Sequence, residues 1–346
     1  MVNTKTSSIR KVKRKAIDSS QTGLIKLEYL DSSPNFPLVI KPTVGGIDLI
    51  TWTSQNRKFI ETELLKYGAI LFRNFEVKTA TEFEQIIAAI CDEALEYRYR
   101  ASPRTQVSGN IYTSTDYPAD QSIFPHNEHS YSPTFPLRIF FFCLTPPQQG
   151  GETPIGRNRN ILQKIDREIQ EKFQQKQIMY MRNFGDGFGL PWQTVFQTTE
   201  KEQVEEYCQQ KNIKWEWKSG DRLRTRQVAS AFVRHPQSQE KVWFNHATFF
   251  HISTLNSQVQ KGLLSGFKEE DLPTNTYYGD GSAIKPLVLE HLRQAYQQEM
   301  VTFSWQKGDV LLLDNMLAVH GRNPYSGDRK ILVGMAKAIN SQDVAI

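Results

Sequence analysis

Two rhythms of apolar residues run along this chain. At Asn56–Tyr67, Phe59, Ile60, Leu64 and Leu65 fall on one helical face, and Gly68 follows where a left-handed residue ends a helix. Phe36–Ile40, after Pro34, and Ala69–Phe75 are compact apolar strands on either side of that helix. Thr79 or Thr81 with Glu82 or Glu84 offers a capping box before a helix through Phe83, Ile86, Ile87 and Ile90. The chain thus opens strand, helix, strand, helix.

Residues 98–135 are rich in Ser, Thr, Pro and Asp and read as irregular. Leu137–Leu144 is the most apolar strand, broken by Pro146 and Pro147. Asn160–Gln175 predicts one polar helix with Ile161, Ile165, Ile169 and Phe173 on a single face, and 199–211 a charged surface helix. Short strands follow at Met179–Phe184, Ile213–Trp217, Arg222–Ala229 and Val242–Asn245. A helix near Leu287–Gln298 precedes strands at Val301–Trp305, Asp309–Leu313 and Lys330–Met335. Helices early or inserted, with strands dominating the middle and end, predict an α+β fold with an antiparallel β core. No linker long enough to split domains appears, so residues 21–346 read as one domain.

Composition changes the picture in one place. The 346 residues are 39% apolar and 11% aromatic, which excludes a wholly disordered chain. The net charge of +5 resides entirely in residues 1–20, where Lys5, Arg10, Lys11, Lys13, Arg14 and Lys15 face Asp18 alone. The balanced remainder gives a nucleic-acid partner no support. Residues 1–20 read as a basic, disordered tail, with a transit peptide, a nuclear signal or a phosphate-binding arm as the alternatives. No apolar stretch is long enough for a membrane span, and no secretory core follows the basic residues. Cys91, Cys143 and Cys208 are too widely spaced for a thiolate metal site or a disulfide framework and fit a reducing cytoplasm.

Chemistry enters at Phe124-Pro125-His126-Asn127-Glu128-His129. On an extended segment, residues two apart share a side, so His126 and Glu128 would present an imidazole and a carboxylate to one point. That is two-thirds of a two-histidine, one-carboxylate set for Fe(II). The second element is Gly308–Asn315, an apolar strand between a turn and an Asx end, followed by His320 just past the strand. Arg329 opens the next strand, where its fork suits a carboxylate.

The chain resembles the taurine dioxygenase / clavaminate synthase-like superfamily of Fe(II)- and 2-oxoglutarate-dependent dioxygenases, and within it the syringomycin-type amino-acid hydroxylases. The likeness is carried by HNEHSY at 126–131, GGETPI at 150–155, VWFNHATFFH at 242–251 and GDVLLLDNMLAVHGRNPYSGDRKILVGM at 308–335. It implies a double-stranded β-helix, or jelly roll, with helical insertions. It implies iron ligands at His126, Glu128 and His320, with Thr153 and Arg329 holding 2-oxoglutarate. It also implies O2 as co-reactant and release of succinate and CO2. The substrate implied is a small amino-acid-like molecule, free or tethered to a carrier protein, oxidised in specialised metabolism, most directly by hydroxylation. Desaturation, cyclisation, or a catalytically silent metal-binding jelly roll are the alternatives. Clavaminate synthase-like members share the Glu ligand. Related halogenases carry Gly or Ala at that position, so Glu128 disfavours chlorination. The taurine enzyme's sulfonate-binding arginine falls where this chain has Leu332-Val333-Gly334-Met335, so a sulfonate substrate is disfavoured.

Other residues carry two readings each. His129 lines the substrate pocket or is structural. Asn245 and His246 face the site or pack. Tyr112, Tyr117 and Tyr131 shape the pocket or cover core. Arg322 positions cosubstrate or caps its strand, with the structural role favoured. His235 reads as a turn or core residue, and Asp314 and Asn315 as strand-end hydrogen bonders.

Because the basic excess lies outside the region of resemblance, deleting residues 1–20 is expected to leave 2-oxoglutarate turnover on a free substrate unchanged. The measurement is succinate release by full-length and truncated protein. A large loss would make the tail part of the active fold.

Overall fold

The computed structural model describes residues 23–346 apart from 31, 32, 34, 97, 98, 100–102, 186 and 188. The basic tail at 1–20 lies outside the described residues. Gly68, at φ 79°, ends the Arg57–Tyr67 helix and donates its N–H to the Leu64 carbonyl, a conformation that a Cβ disfavours. Of the two pairings with capping-box spacing, Thr79 with Glu82 is the one formed, ahead of the helix Ala80–Cys91.

An eight-stranded sheet runs in the order Ile25–Glu28, Leu38–Pro42, Ala69–Phe72, Val310–Asp314, Thr134–Thr145, Lys330–Asn340, Ile111–Thr113 and Gln106–Ser108. Only Leu38–Pro42 and Ala69–Phe72 pair in parallel, joined by helices Leu49–Gln55 and Arg57–Tyr67. Leu311 pairs with Phe141, which pairs with Val333, and Leu312 pairs with Phe140. Alternation then sorts the strands' side chains into two cores. Phe140, Phe142, Val310, Leu312 and Leu332 meet Ile60, Leu64, Phe83, Ile86 and Ile87 of the helices. Ile139, Phe141, Cys143, Leu311, Leu313 and Val333 face the other way, toward Ile155 and Ala318. A strand apolar on both faces explains why this segment reads as an unbroken run. Cys143 is core, and all three cysteines are free and buried.

Ile155 and Ala318 belong to a three-stranded sheet of Ile123–His126, Ala318–Arg322 and Ile155–Arg157 beneath that inner face. A four-stranded antiparallel sheet of Lys214–Lys218, Arg222–Ala229, Ile178–Phe184 and Thr274–Tyr278 contributes to a further core. No helix among the described residues is long and apolar enough to cross a membrane.

Three expectations are corrected. The helix over 160–175 is two helices, Asn158–Lys164 and Arg167–Lys176, because Ile165 is extended and Gln170 bonds back to the Leu162 and Ile165 carbonyls. Val301–Trp305 forms no strand; it makes one isolated bridge, Val301 to Ile155, and spends Phe303 and Trp305 on packing. Residues 98–135 are not wholly irregular, since Gln106–Ser108, Ile111–Thr113 and Ile123–His126 are strands.

The turn from Val310–Asp314 into Ala318–Arg322 is built on Asp314. Its Oδ1 accepts from the backbone N–H groups of Met316 and Leu317. Its Oδ2 accepts from Arg138 and from His235 Nε2 at 3.0 Å. His235 Nδ1 accepts from the Gln237 and Ser238 N–H groups, so Nε2 carries the proton. Burial would raise this carboxyl, but Arg138 and the His235 hydrogen bond hold it below its ordinary value. A carboxyl depressed in the fold stabilises above its unfolded value of about 4 and loses that contribution as pH falls through the folded value. Asp314→Ala is expected to cost about 3–5 kcal/mol at pH 7, since it strands Arg138 in the core. Urea unfolding should show that gap closing as pH is lowered below about 4. A gap independent of pH would contradict the ionised role.

Candidate active site

Ile123–His126 lies antiparallel to Ala318–Arg322, with His126 and His320 directly opposite. Gly321 lets the strands approach, since a Cβ there would meet the Ile123 carbonyl at 2.7 Å. His320 therefore sits inside its own strand rather than in a loop past one, and its ring lies 4.6 Å from that of His126. His126 Nδ1 donates to the Phe124 carbonyl at 2.9 Å, which leaves Nε2 unprotonated in the neutral ring. Burial lowers the pKa of His126 and pushes that of His320 well below its ordinary value, so both rings are neutral and could serve as ligands.

Glu128 joins them by a route other than the expected one. The extended segment stops at His126, and Glu128 lies in the turn that follows. Asn315 places it. Asn315 Oδ1 accepts from the Glu128 N–H at 2.8 Å, and Nδ2 donates to the Glu128 and Pro136 carbonyls, each at 2.8 Å. Asn127 returns the contact, donating to the Asn315 and Ala318 carbonyls at 2.5 and 3.1 Å. Donor atoms of His126, Glu128 and His320 consequently lie within 4.8 Å of one another. Burial would raise the Glu128 carboxyl, but Arg104, 2.8 Å away through Nη2 and first among the surrounding groups that oppose burial, acts with His129, His126 and His320 to hold it well below the usual carboxylate range. Two neutral imidazoles and one ionised carboxylate fit a divalent iron.

Thr153 and Arg329 lie in a cleft with both histidines, Phe141 and Arg322. Thr153 Oγ1 accepts from Trp305 Nε1 at 3.2 Å. Arg329 donates from Nε to the Gly151 carbonyl at 2.9 Å and from Nη1 to Ser114 Oγ at 3.3 Å. Burial, then the neighbouring Arg322, push its pKa down to about 10, so it remains a cation at neutral pH. Arg322 spends its guanidinium on the Tyr117, Pro118 and Gln121 carbonyls, which supports the structural reading.

A cavity of about 540 Å³ adjoins His126 and Glu128 and shares Arg104, Thr115, Ile123 and His126 with the cleft. Phe124, Tyr131, Phe249 and Phe250 line its apolar part, and Asp116, Tyr117 and Asp120 belong to its exposed strap. Phe249 stacks on His126 at 4.2 Å. His246 lies in this wall, bonded through Nδ1 to Ser130 Oγ, whereas Asn245 is structural and bonds to Ala231 and Ala247. His129, at φ 56°, reaches the cavity with Nε2 3.5 Å from Glu128 Oε1. Burial lowers its pKa to about 4. Tyr112 packs in the core instead.

Sequence reasoning missed Arg104 and Asn127. Arg104 is a single cation in a polar stretch and carries no pattern. Asn127 had a signal, because alternation turns its side chain away from the one its neighbours share.

The taurine catabolism dioxygenase TauD, TfdA family model matches residues 33–336. Dapdiamide synthesis protein DdaC of Enterobacter agglomerans is 38% identical over 307 residues, covering 86% of this chain and 93% of the relative. A clavaminate synthase-like protein of Arabidopsis thaliana is 29% identical over 335 residues, covering 92% and 98%. The PvcB protein of Pseudomonas aeruginosa superposes with TM-score 0.56 at 15% identity over 96% of each chain. PvcB is described as an Fe, alpha-ketoglutarate dependent oxygenase from an isonitrile synthetic pathway.

Asn315→Ala leaves three buried backbone groups around Glu128 and Pro136 without partners, at about 1–3 kcal/mol each. Thermal melting should fall accordingly, and affinity for Co(II), read by its visible absorption, should fall at least tenfold. Unchanged Co(II) affinity in a folded variant would show that Asn315 does not position Glu128.

Proposed function

The chain belongs to the taurine catabolism dioxygenase TauD, TfdA family, and from that premise we propose that it hydroxylates an unactivated C–H bond of an amino acid or amino-acid derivative, with 2-oxoglutarate and O2 as cosubstrates at one Fe(II). The observation that carries the reading is the convergence of His126, Glu128 and His320 where the Thr153–Arg329 cleft meets the 540 Å³ cavity. When bound, the iron supplies the oxidation, drawing on dioxygen while 2-oxoglutarate is converted to succinate and CO2.

The chain's own residues place and shield the reactants. His126, with its proton held at the Phe124 carbonyl, Glu128, kept ionised, and His320 hold the metal. Arg329 and Thr153 receive the distal carboxylate of 2-oxoglutarate, the former as a charged two-pronged donor. Phe249 against His126 and Phe141 at 5.0 Å from His320 keep water from the metal position. The substrate occupies the cavity, whose mixed polar and aromatic wall suits a small amino-acid-like molecule, free or on a carrier protein. DdaC's part in dapdiamide synthesis supports a place in specialised metabolism. The eight-stranded sheet facing the three-stranded one supports a double-stranded β-helix, with residues 21–346 as one catalytic domain. Free, buried cysteines support a cytoplasmic setting. The same site would also serve desaturation or cyclisation, and product mass decides between them.

The Fe(II)-loaded protein is expected to release succinate from 2-oxoglutarate with some member of a panel of amino acids, free and carrier-bound. His126→Ala should abolish turnover, and Arg329→Leu should raise the KM for 2-oxoglutarate at least tenfold. A wild-type protein that binds no Fe(II) and decarboxylates no 2-oxoglutarate with any panel member would leave the silent jelly roll as the reading. Full activity in His126→Ala would refute the ligand assignment.

A further inference from the structure

Arg104 is buried, with 3% of its side chain exposed, and its Nη2 lies 2.8 Å from Glu128 Oε2. That same oxygen is 3.8 Å from His320 Nε2 and so faces the point where the three ligands converge. Arg104 lines both the large cavity and the 2-oxoglutarate cleft. A metal held by Glu128 would therefore share one carboxylate with a buried guanidinium. A dication and a monocation on one anion repel strongly in a poorly hydrated pocket. Among the described residues lining the cavity and cleft, the only other carboxylates are Asp116 and Asp120, both exposed on the strap at the mouth. The balancing negative charge must then arrive with a ligand, and a guanidinium fork matches a carboxylate.

We propose that Arg104 is a specificity-determining residue: once metal takes Glu128, its guanidinium receives a carboxylate of the substrate beside the metal position. The inference rests on the dioxygenase reading and narrows the substrate to one with a free carboxylate near the carbon attacked. Arg104 is thus the counter-ion of Glu128 without metal and the substrate's anchor with it.

The probe is acetate, with acetamide as the neutral control, and the readout is the Mn(II) dissociation constant. In the wild-type full chain, acetate should tighten Mn(II) binding about tenfold, because coupling between two sites is reciprocal. Acetamide should not. The effect should persist with 2-oxoglutarate bound, vanish in Arg104→Met and be reduced in Arg104→Lys, which keeps the charge without the fork. An acetate effect that disappears once 2-oxoglutarate is present assigns the anion to the cosubstrate and overturns the proposal. So does an equal effect in Arg104→Met, or none in the wild type, an arm that needs no folded variant. Wild-type protein that binds no Mn(II) removes the metal reading underneath, whereas Mn(II) binding without acetate coupling removes only the role of Arg104.

Discussion

The side chain of Asn315 joins the two halves of the site. With one acceptor and two donors it bonds the N–H and C=O of Glu128 and the carbonyl of Pro136, all at 2.8 Å. His320 follows on the strand that leaves this turn, and His126 immediately precedes the turn that Asn315 holds. Candidate ligands far apart in the chain therefore share one rigid frame. Asp314 supports it from the next position, turning the chain through its bonds to Met316 and Leu317 while neutralising Arg138. Each hydrogen bond contributes only about 1 kcal/mol net, yet losing a partner exposes the full desolvation cost of a buried group. The frame is stable because nearly every polar group in it is satisfied at once.

Electrostatics follows from that frame. One carboxylate, Glu128, stands amid buried imidazoles, with Arg104 in contact and Arg322 and Arg329 along the adjoining cleft. Burial strips protons from the histidines, while Arg104 and the surrounding imidazoles together keep the carboxylate ionised against the same burial. The result is a ligand set ready for a divalent cation and a pocket that favours anions. A 2-oxo diacid meets the second requirement. The aromatic side, from Phe124 through Phe249 and Phe250, offers apolar surface to the rest of a substrate.

The order of elements, the capped helices and the β-rich second half follow from local pattern, because Gly68, the Thr79–Glu82 box and the alternation around Leu311 act over a few residues. The chemistry-bearing residues were legible for a related reason. His126, Glu128, Thr153, His320 and Arg329 stand in motifs whose residue types and order narrow their use, and the fold brings all five to one place. Local pattern failed where neighbours distant in the chain decide. Val301–Trp305 has strand composition but finds a partner only at Ile155, and the helix over 160–175 breaks because Ile165 is extended between Leu162 and Gln170.

The sequence by itself determined the class of fold, the donor types and their order, and the confinement of excess charge to the first twenty residues. Tertiary structure alone decided how the donors converge. An extended His-x-Glu would place both side chains together by strand geometry, but here the strand ends at His126 and a clamp from residue 315 supplies the geometry instead. Tertiary structure alone also revealed Arg104, whose meaning comes from a buried oxygen 2.8 Å away. Pattern in a chain records which surfaces are apolar and which residues can ligate. The pairing of one buried charge with another depends on a packing that long-range contacts create.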